Sequence, residues 1–217
     1  EQAAEAKSRF LATMSHEIRT PMSGVLGMLE VLAHSPLDSE QQRILGVIED
    51  SAQMLRQILD DILDYSRLEA GALRLEPVPQ PLRPLLESVC RLLSAQASAR
   101  GLALHVQIDP ELAPAHEVDG VRLRQIVFNL LSNAIKFTAQ GEVRLQLEVL
   151  GPTSEDGVQP LCLSVTDTGI GIAPEQLQHL FAPFTQAGAY IQRDHGGTGL
   201  GLSICQRLVQ MMQGELT

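Results

Sequence analysis

Two apolar stripes, one on each side of a Ser-Pro break, constrain this chain more than any other feature. In the first, Leu11, Met14, Ile18, Pro21, Val25, Met28 and Leu32 recur at alternating spacings of three and four, the pattern of a packed helical seam. Ser35-Pro36 ends that run near Ala33, and Asp38 or Ser39 can cap a second helix. There Ile44, Ile48, Ser51, Leu55, Ile58, Ile62 and Tyr65 repeat the alternation until Gly71. Two helices alone cannot bury both seams. The hairpin therefore predicts pairing with a second copy, giving a four-helix bundle and a homodimer through residues 1–71.

His16 lies two positions from Met14 and two from Ile18, so at ~100° per residue it points away from the seam and is predicted to be exposed. Glu17 adjoins it, and Thr20 lies one turn further along the same face. Pro21 removes a backbone donor, which predicts an interruption or bend just below the histidine. Taken by itself, a surface histidine is more often a solvated polar residue than a functional one. Its meaning has to come from the rest of the chain.

Composition narrows the field. A chain of 217 residues with 44% hydrophobic side chains suits two modest domains with real cores. Its 26 acidic against 16 basic residues leave a net charge of −10, which argues against a nucleic-acid partner, since phosphate backbones need clustered cations. Aromatic residues at 3% also fail to supply stacking platforms. Cys90, Cys162 and Cys205 are far apart and outside any CxxC spacing, so they suggest neither a disulfide framework nor zinc and fit a reducing compartment. No apolar run reaches transmembrane length and no signal peptide precedes the first helix. The chain opens in mid-helix, which predicts a piece of something longer.

Pro77, Pro79, Pro81 and Pro84 mark a break in composition, placing a linker at 72–80 and a second domain at 81–217. Periodicity in that domain predicts helices at 82–99 and 119–137, strands at 102–108, 142–150 and 161–166, and a last helix from about Gly199. The fold class is α+β: a helical hairpin followed by an α/β two-layer sandwich.

Three clusters in the second domain carry chemistry. Along the 119–137 helix, Asn129, Asn133 and Lys136 sit at i, i+4 and i+7, off the apolar stripe and on one edge. Amide oxygens are hard ligands suited to magnesium, and a lysine beside them can meet a phosphate. A plain solvated face would look the same. Asp167-Thr168-Gly169-Ile170-Gly171 follows the last predicted strand; its carboxylate can accept from a purine amine, and its glycines admit a flat base. A simple turn would also fit. Gly196-Gly197-Thr198-Gly199-Leu200-Gly201-Leu202 opens a helix, where free amides and the dipole favour phosphate. It matches neither a Walker loop nor a dinucleotide fingerprint.

The order of these pieces is more specific than any one of them. SHEIRTP at 15–21, NLLSNAIKF at 129–137, DTGIGI at 167–172, FAPF at 181–184 and GGTGLGL at 196–202 resemble the H, N, G1, F and G2 boxes of sensor histidine kinases, and SHEIRTPM with LFAPFTQ and GGTGLGLSIC looks most like the hybrid branch. The resemblance implies a dimerisation and phosphoacceptor domain followed by an ATP-binding domain of the gyrase-like ATPase superfamily. It makes His16 the phosphoacceptor, Glu17 the base that takes its imidazole proton, and Thr20 an orienter of water in dephosphorylation of a partner aspartate. It implies ATP and Mg2+ as cofactors. Asn133 and Asn129 would hold the metal, Lys136 and Phe137 would line the nucleotide, and Asp167, Gly169 and Gly171 would receive adenine. Gly197, Thr198, Gly199, Leu200 and Gly201 would admit the phosphates, with Arg193 in a lid over 185–196. Gyrase-like ATPases carry a glutamate where this chain has Asn129, and an amide cannot activate water as that base does.

The same resemblance implies a receiver domain as partner, in cis or on a response regulator, and a cytoplasmic location in a protein anchored in the bacterial inner membrane. It also places two further sheet strands beyond Thr217, without which an edge is left open. Two rival readings remain at this level. One is a silent module that forms a heterodimer with another sensor kinase and regulates it; the other is an enzyme dominated by receiver phosphatase activity.

Overall fold

The structure, a computed structural model, describes residues 2–185 and 198–217, with side chains described from residue 17 onward. It divides into two units, Glu1–Arg74 with Gly197–Ile204, and Leu75–Gly196 with Cys205–Thr217.

The first unit is built on a hairpin of α1 (Gln2–Ala33) and α2 (Ser39–Glu69). Helix α1 continues unbroken through Pro21, where the sequence predicts an interruption. At the start of α2 the Asp38 carboxylate accepts from the Gln41 amide at 2.8 Å, and the Gln41 side chain accepts from the Asp38 amide at 3.0 Å. This reciprocal capping box satisfies donors the helix cannot satisfy itself.

The hairpin closes on a different face from the predicted seams. Leu29, Leu45 and Ala52 are buried, with Met22, Leu26 and Leu37 packed against them. Seam residues stay open: Ile18, Val25, Met28 and Leu32 on α1, and Ile44, Ile48, Leu55 and Ile62 on α2, are all exposed. The heptad stripes are thus left over after the two helices have packed on each other. An exposed apolar area of that kind is suited to an interface.

In the second unit, β1 (Val78–Gln80) and β3 (His116–Val118) form an antiparallel ribbon, so part of the proline-marked stretch at 72–80 is paired strand. The main sheet has the order β2 (Ala103–Ile108), β4 (Glu142–Val149), β5 (Leu161–Asp167), with β2 parallel and β5 antiparallel to β4. Alternation explains the central strand: Val143, Leu145 and Leu147 are buried while Arg144 and Glu148 are exposed. Onto that face pack α3 (Leu82–Ala99) and α4 (Gly120–Phe137), through Leu85, Leu86, Val89 and Leu93 and through Val127, Leu131, Ala134 and Ile135. The result is the predicted two-layer α/β arrangement.

Asp119 starts α4. It is 8% exposed, and its Oδ1 accepts from the amides of Val121 and Arg122 while Oδ2 accepts from the Glu76 amide. One carboxylate thereby caps the helix and ties down the chain leading into the unit. The short helix α5 (Pro174–Leu177) follows β5, and α6 (Gly201–Met211) runs close to the end of the chain. The sequence carries no periodic signal for β1, β3 or α5, because each is four residues or fewer and spans too little of its period. No helix among the described residues is long and apolar enough to cross a membrane.

Candidate nucleotide and phosphoacceptor sites

Helix α4 positions three of the predicted residues. Its apolar stripe is buried against the sheet, which leaves Asn129, Asn133 and Lys136 on a half-buried edge. The Asn133 amide nitrogen donates to Asn129 Oδ1 at 2.9 Å. That bond orients both amides: it occupies the Asn129 oxygen and leaves the Asn133 oxygen as a hard ligand. Lys136 Nζ lies 5.0 Å from the centre of the Phe137 ring, a cation–π contact. Burial holds the Lys136 ammonium below the ordinary lysine range, and the neighbouring Arg100 charge pushes it the same way.

The turn after β5 meets the end of α4. Asp167 is the last residue of β5, and its Oδ1 accepts from the Gly169 amide at 2.8 Å. Ile170 N–H donates to the Phe137 carbonyl at 3.3 Å. A Cβ added at Gly169 would lie 2.4 Å from that carbonyl oxygen, so only glycine lets the turn approach so closely. Gly171 has φ +68°, again a glycine conformation. The structure therefore joins the Asp167–Gly169 turn to the C-terminal end of the edge that carries Asn129, Asn133 and Lys136, the two elements meeting end to end at Phe137.

Thr168 belongs to this arrangement, though its role was not apparent from the sequence. Its hydroxyl oxygen accepts from the Glu142 amide at 3.0 Å, and the hydroxyl lies 3.3 Å from the Gln140 carbonyl. Asp167 is thus fixed at the end of its strand by its own neighbour. Gly141, at φ +112°, leaves room for that hydroxyl. A threonine between aspartate and glycine gives no sign of this in a one-dimensional pattern, because its partners lie 26 and 28 positions away.

The glycine run is described only from Thr198. Thr198, Gly199, Leu200 and Gly201 belong to the first unit. There the Thr198 hydroxyl donates to Asp61 Oδ2 at 2.8 Å, and its oxygen accepts from the Leu200 amide at 3.1 Å. Gly199 has φ +68°. Asp61 is 6% exposed and also accepts from Gln57 Nε2 at 2.7 Å. Burial raises its pKa, the two hydrogen bonds oppose the rise, and Asp64 and Asp60 add to it. Arg193, Gly197 and most of the predicted lid at 185–196 lie outside the described residues.

On α1, Glu17 and Thr20 are exposed on the helix the sequence predicts; the His16 side chain lies outside the described residues. Arg19, between them, pairs with Asp60 of α2 at 2.7 Å.

Two family models match the chain. Residues 6–71 match the His Kinase A (phospho-acceptor) domain, and residues 118–217 match the histidine kinase-, DNA gyrase B- and HSP90-like ATPase domain. The chain belongs to the sensor histidine kinases. It is 41% identical over 216 residues to the autoinducer 2 sensor kinase/phosphatase LuxQ of Vibrio cholerae, spanning 100% of this chain and 25% of that protein. Identity to the signal transduction histidine-protein kinase BarA of Escherichia coli K12 is 44% over 217 residues, again 100% of this chain and 23% of the relative. Among solved structures, full-length ShkA in complex with AMPPNP superposes with a TM-score of 0.73 at 35% identity, covering 94% of this chain and 41% of that one. This histidine kinase chain spans a quarter or less of the length of these two curated relatives.

Proposed function

We propose that this chain is the ATP-dependent protein-histidine kinase core of a larger sensor protein. ATP donates its γ-phosphoryl group to a nitrogen of His16 while Glu17 takes the proton from the other imidazole nitrogen. The bond between the γ-phosphorus and the β–γ bridging oxygen breaks, ADP leaves, and phosphohistidine remains. The group then passes to an aspartate of a receiver domain, in cis or on a response regulator. One observation carries this reading: a phosphoacceptor domain match at 6–71 and an ATPase-type match at 118–217 occur in one chain.

Site chemistry supports it. Asp167 offers a carboxylate oxygen for an adenine amine, beside a turn kept thin by Gly169. Lys136 supplies a cation for phosphate, with Phe137 beside it. Gly197, Thr198, Gly199, Leu200, Gly201 and Arg193 are assigned to the phosphates and the lid. The amide pair fits magnesium, whose charge would neutralise the ATP phosphates when bound. Asn133 would ligate it, and Asn129 orients Asn133 through their hydrogen bond. Asn129 also cannot serve as a hydrolytic base, which suits a site that keeps ATP for a histidine.

The exposed seams support a homodimer through residues 1–71. The hybrid character and membrane anchoring of the whole protein are part of the same proposal. A receiver phosphatase activity through Thr20 is a second reading, favoured by the exposure of Thr20, four positions after His16 in the sequence of α1, and by the kinase/phosphatase name of LuxQ.

The test adds γ-labelled ATP and Mg2+ to the chain and to His16→Gln. Acid-labile, alkali-stable label on the first and none on the second is expected. Equal labelling of both, or label that survives acid, overturns the assignment.

A further inference from the structure

The C-terminal turn of α4 leaves four carbonyls that the helix cannot satisfy by itself. All four have partners, drawn from three parts of the second unit. Ala134 O accepts from Thr138, through its amide at 3.1 Å and its hydroxyl at 2.7 Å. Phe137 O accepts from the Ile170 amide at 3.3 Å. Between these, Ile135 O and Lys136 O both accept from one guanidinium nitrogen, Nη1 of Arg100, at 3.3 and 3.0 Å.

Arg100 is the C-cap that follows α3, and Gly101 at φ +69° turns the chain at once toward β2. That reversal aims the side chain of a helix cap across to a neighbouring helix. A cation there offsets the negative end of the α4 dipole, and the two N–H groups of Nη1 can serve one carbonyl each. Its second acceptor is the backbone of Lys136 itself.

We infer that Arg100 is a positioning residue for the nucleotide: by holding the last turn of α4 it fixes where Lys136 presents its ammonium to the phosphates. The inference rests on the proposed phosphate role of Lys136. Arg100 acts only through α4, by its bonds to the Ile135 and Lys136 carbonyls.

Such a residue has a signature that a merely structural one lacks. Titration calorimetry with Mg-ATP and, separately, with adenosine would be run on the wild-type chain, Arg100→Ala, Arg100→Lys, Lys136→Ala and the double variant. Arg100→Ala is expected to weaken Mg-ATP binding by roughly tenfold, the scale of one hydrogen bond to a charged group, with adenosine binding unchanged. Arg100→Lys should recover part of the loss. The double variant should bind no more weakly than Lys136→Ala alone, because the two losses share one route. Additive losses, equal losses for adenosine and Mg-ATP, or unchanged Mg-ATP binding by Arg100→Ala would overturn the inference. If Lys136→Ala binds Mg-ATP as the wild type does, the phosphate role of Lys136 fails instead. Should Arg100→Ala not fold, Arg100→Gln, which keeps a planar donor without the charge, takes its place in the same cycle.

Discussion

Thr198 donates its hydroxyl hydrogen to Asp61 at 2.8 Å across 137 positions of sequence. The acceptor is a buried carboxyl on α2 with a second donor, Gln57, one turn away. Burial raises the Asp61 pKa above its ordinary value of 3.8, so the folded chain binds this proton more tightly than the unfolded chain does. Stability from this group is complete below the ordinary value and is lost as pH rises through the raised one.

Asp61→Asn removes that titration while keeping an oxygen for Thr198. Melting curves from pH 3.5 to 7 are expected to show the variant gaining on the wild type as pH rises, with the two nearest at the acid end. A stability difference that does not change with pH would show that the carboxyl does not titrate in this range.

Gly169→Ala puts a methyl group where the Phe137 carbonyl already stands at 2.4 Å. Neither partner is a flexible side chain, so α4 or the turn has to move. Overpacking of this kind costs about 1–3 kcal/mol, and Mg-ATP binding should fall together with the melting temperature. A variant as stable as the wild type, with equal affinity, would mean that the turn does not need its close approach to α4.

Asp119→Ala removes one buried carboxylate from three amides, those of Val121, Arg122 and Glu76. Loss of an N-cap costs about 1–2 kcal/mol, and the stranded Glu76 amide adds to it. Chemical denaturation would measure the sum. Asp119→Asn keeps one acceptor and should fall between the two; an alanine variant within error of the wild type would contradict the capping role.

Ile48→Glu places a charge in the exposed seam of α2, where Ile48 is 44% exposed in the single chain. Sedimentation equilibrium is expected to find a dimer for the wild type and a monomer for the variant, with little change in helix content. A wild-type chain that is monomeric at micromolar concentration removes the proposed homodimer.

Thr20→Ala tests the second activity. Autophosphorylation should continue while dephosphorylation of a phosphorylated receiver domain fails; loss of both would assign Thr20 to the kinase reaction.

Much of this was legible in the chain. The α3, α4 and β4 boundaries fall within a residue or so of their periodic patterns, because an amphipathic period belongs to local sequence. The hairpin shows where periodicity stops. The three-four stripes of α1 and α2 are real, yet inside one chain Met22, Leu26 and Leu29 face Leu45 and Ala52 instead. A stripe records that a face is apolar and carries no statement of which partner covers it.

Sequence by itself determined the helix and strand periods, the order of the five boxes, and the residue types an ATP-dependent phosphoryl transfer would use. Only the tertiary structure decided that Phe137 and Gly169 meet, that Thr168 pins Asp167 in place, and that Arg100 holds the turn beneath Lys136. These relations depend on distances between elements far apart in the chain. They are set by how α3, α4 and β5 pack around the shared core, and no local pattern of residues encodes that packing.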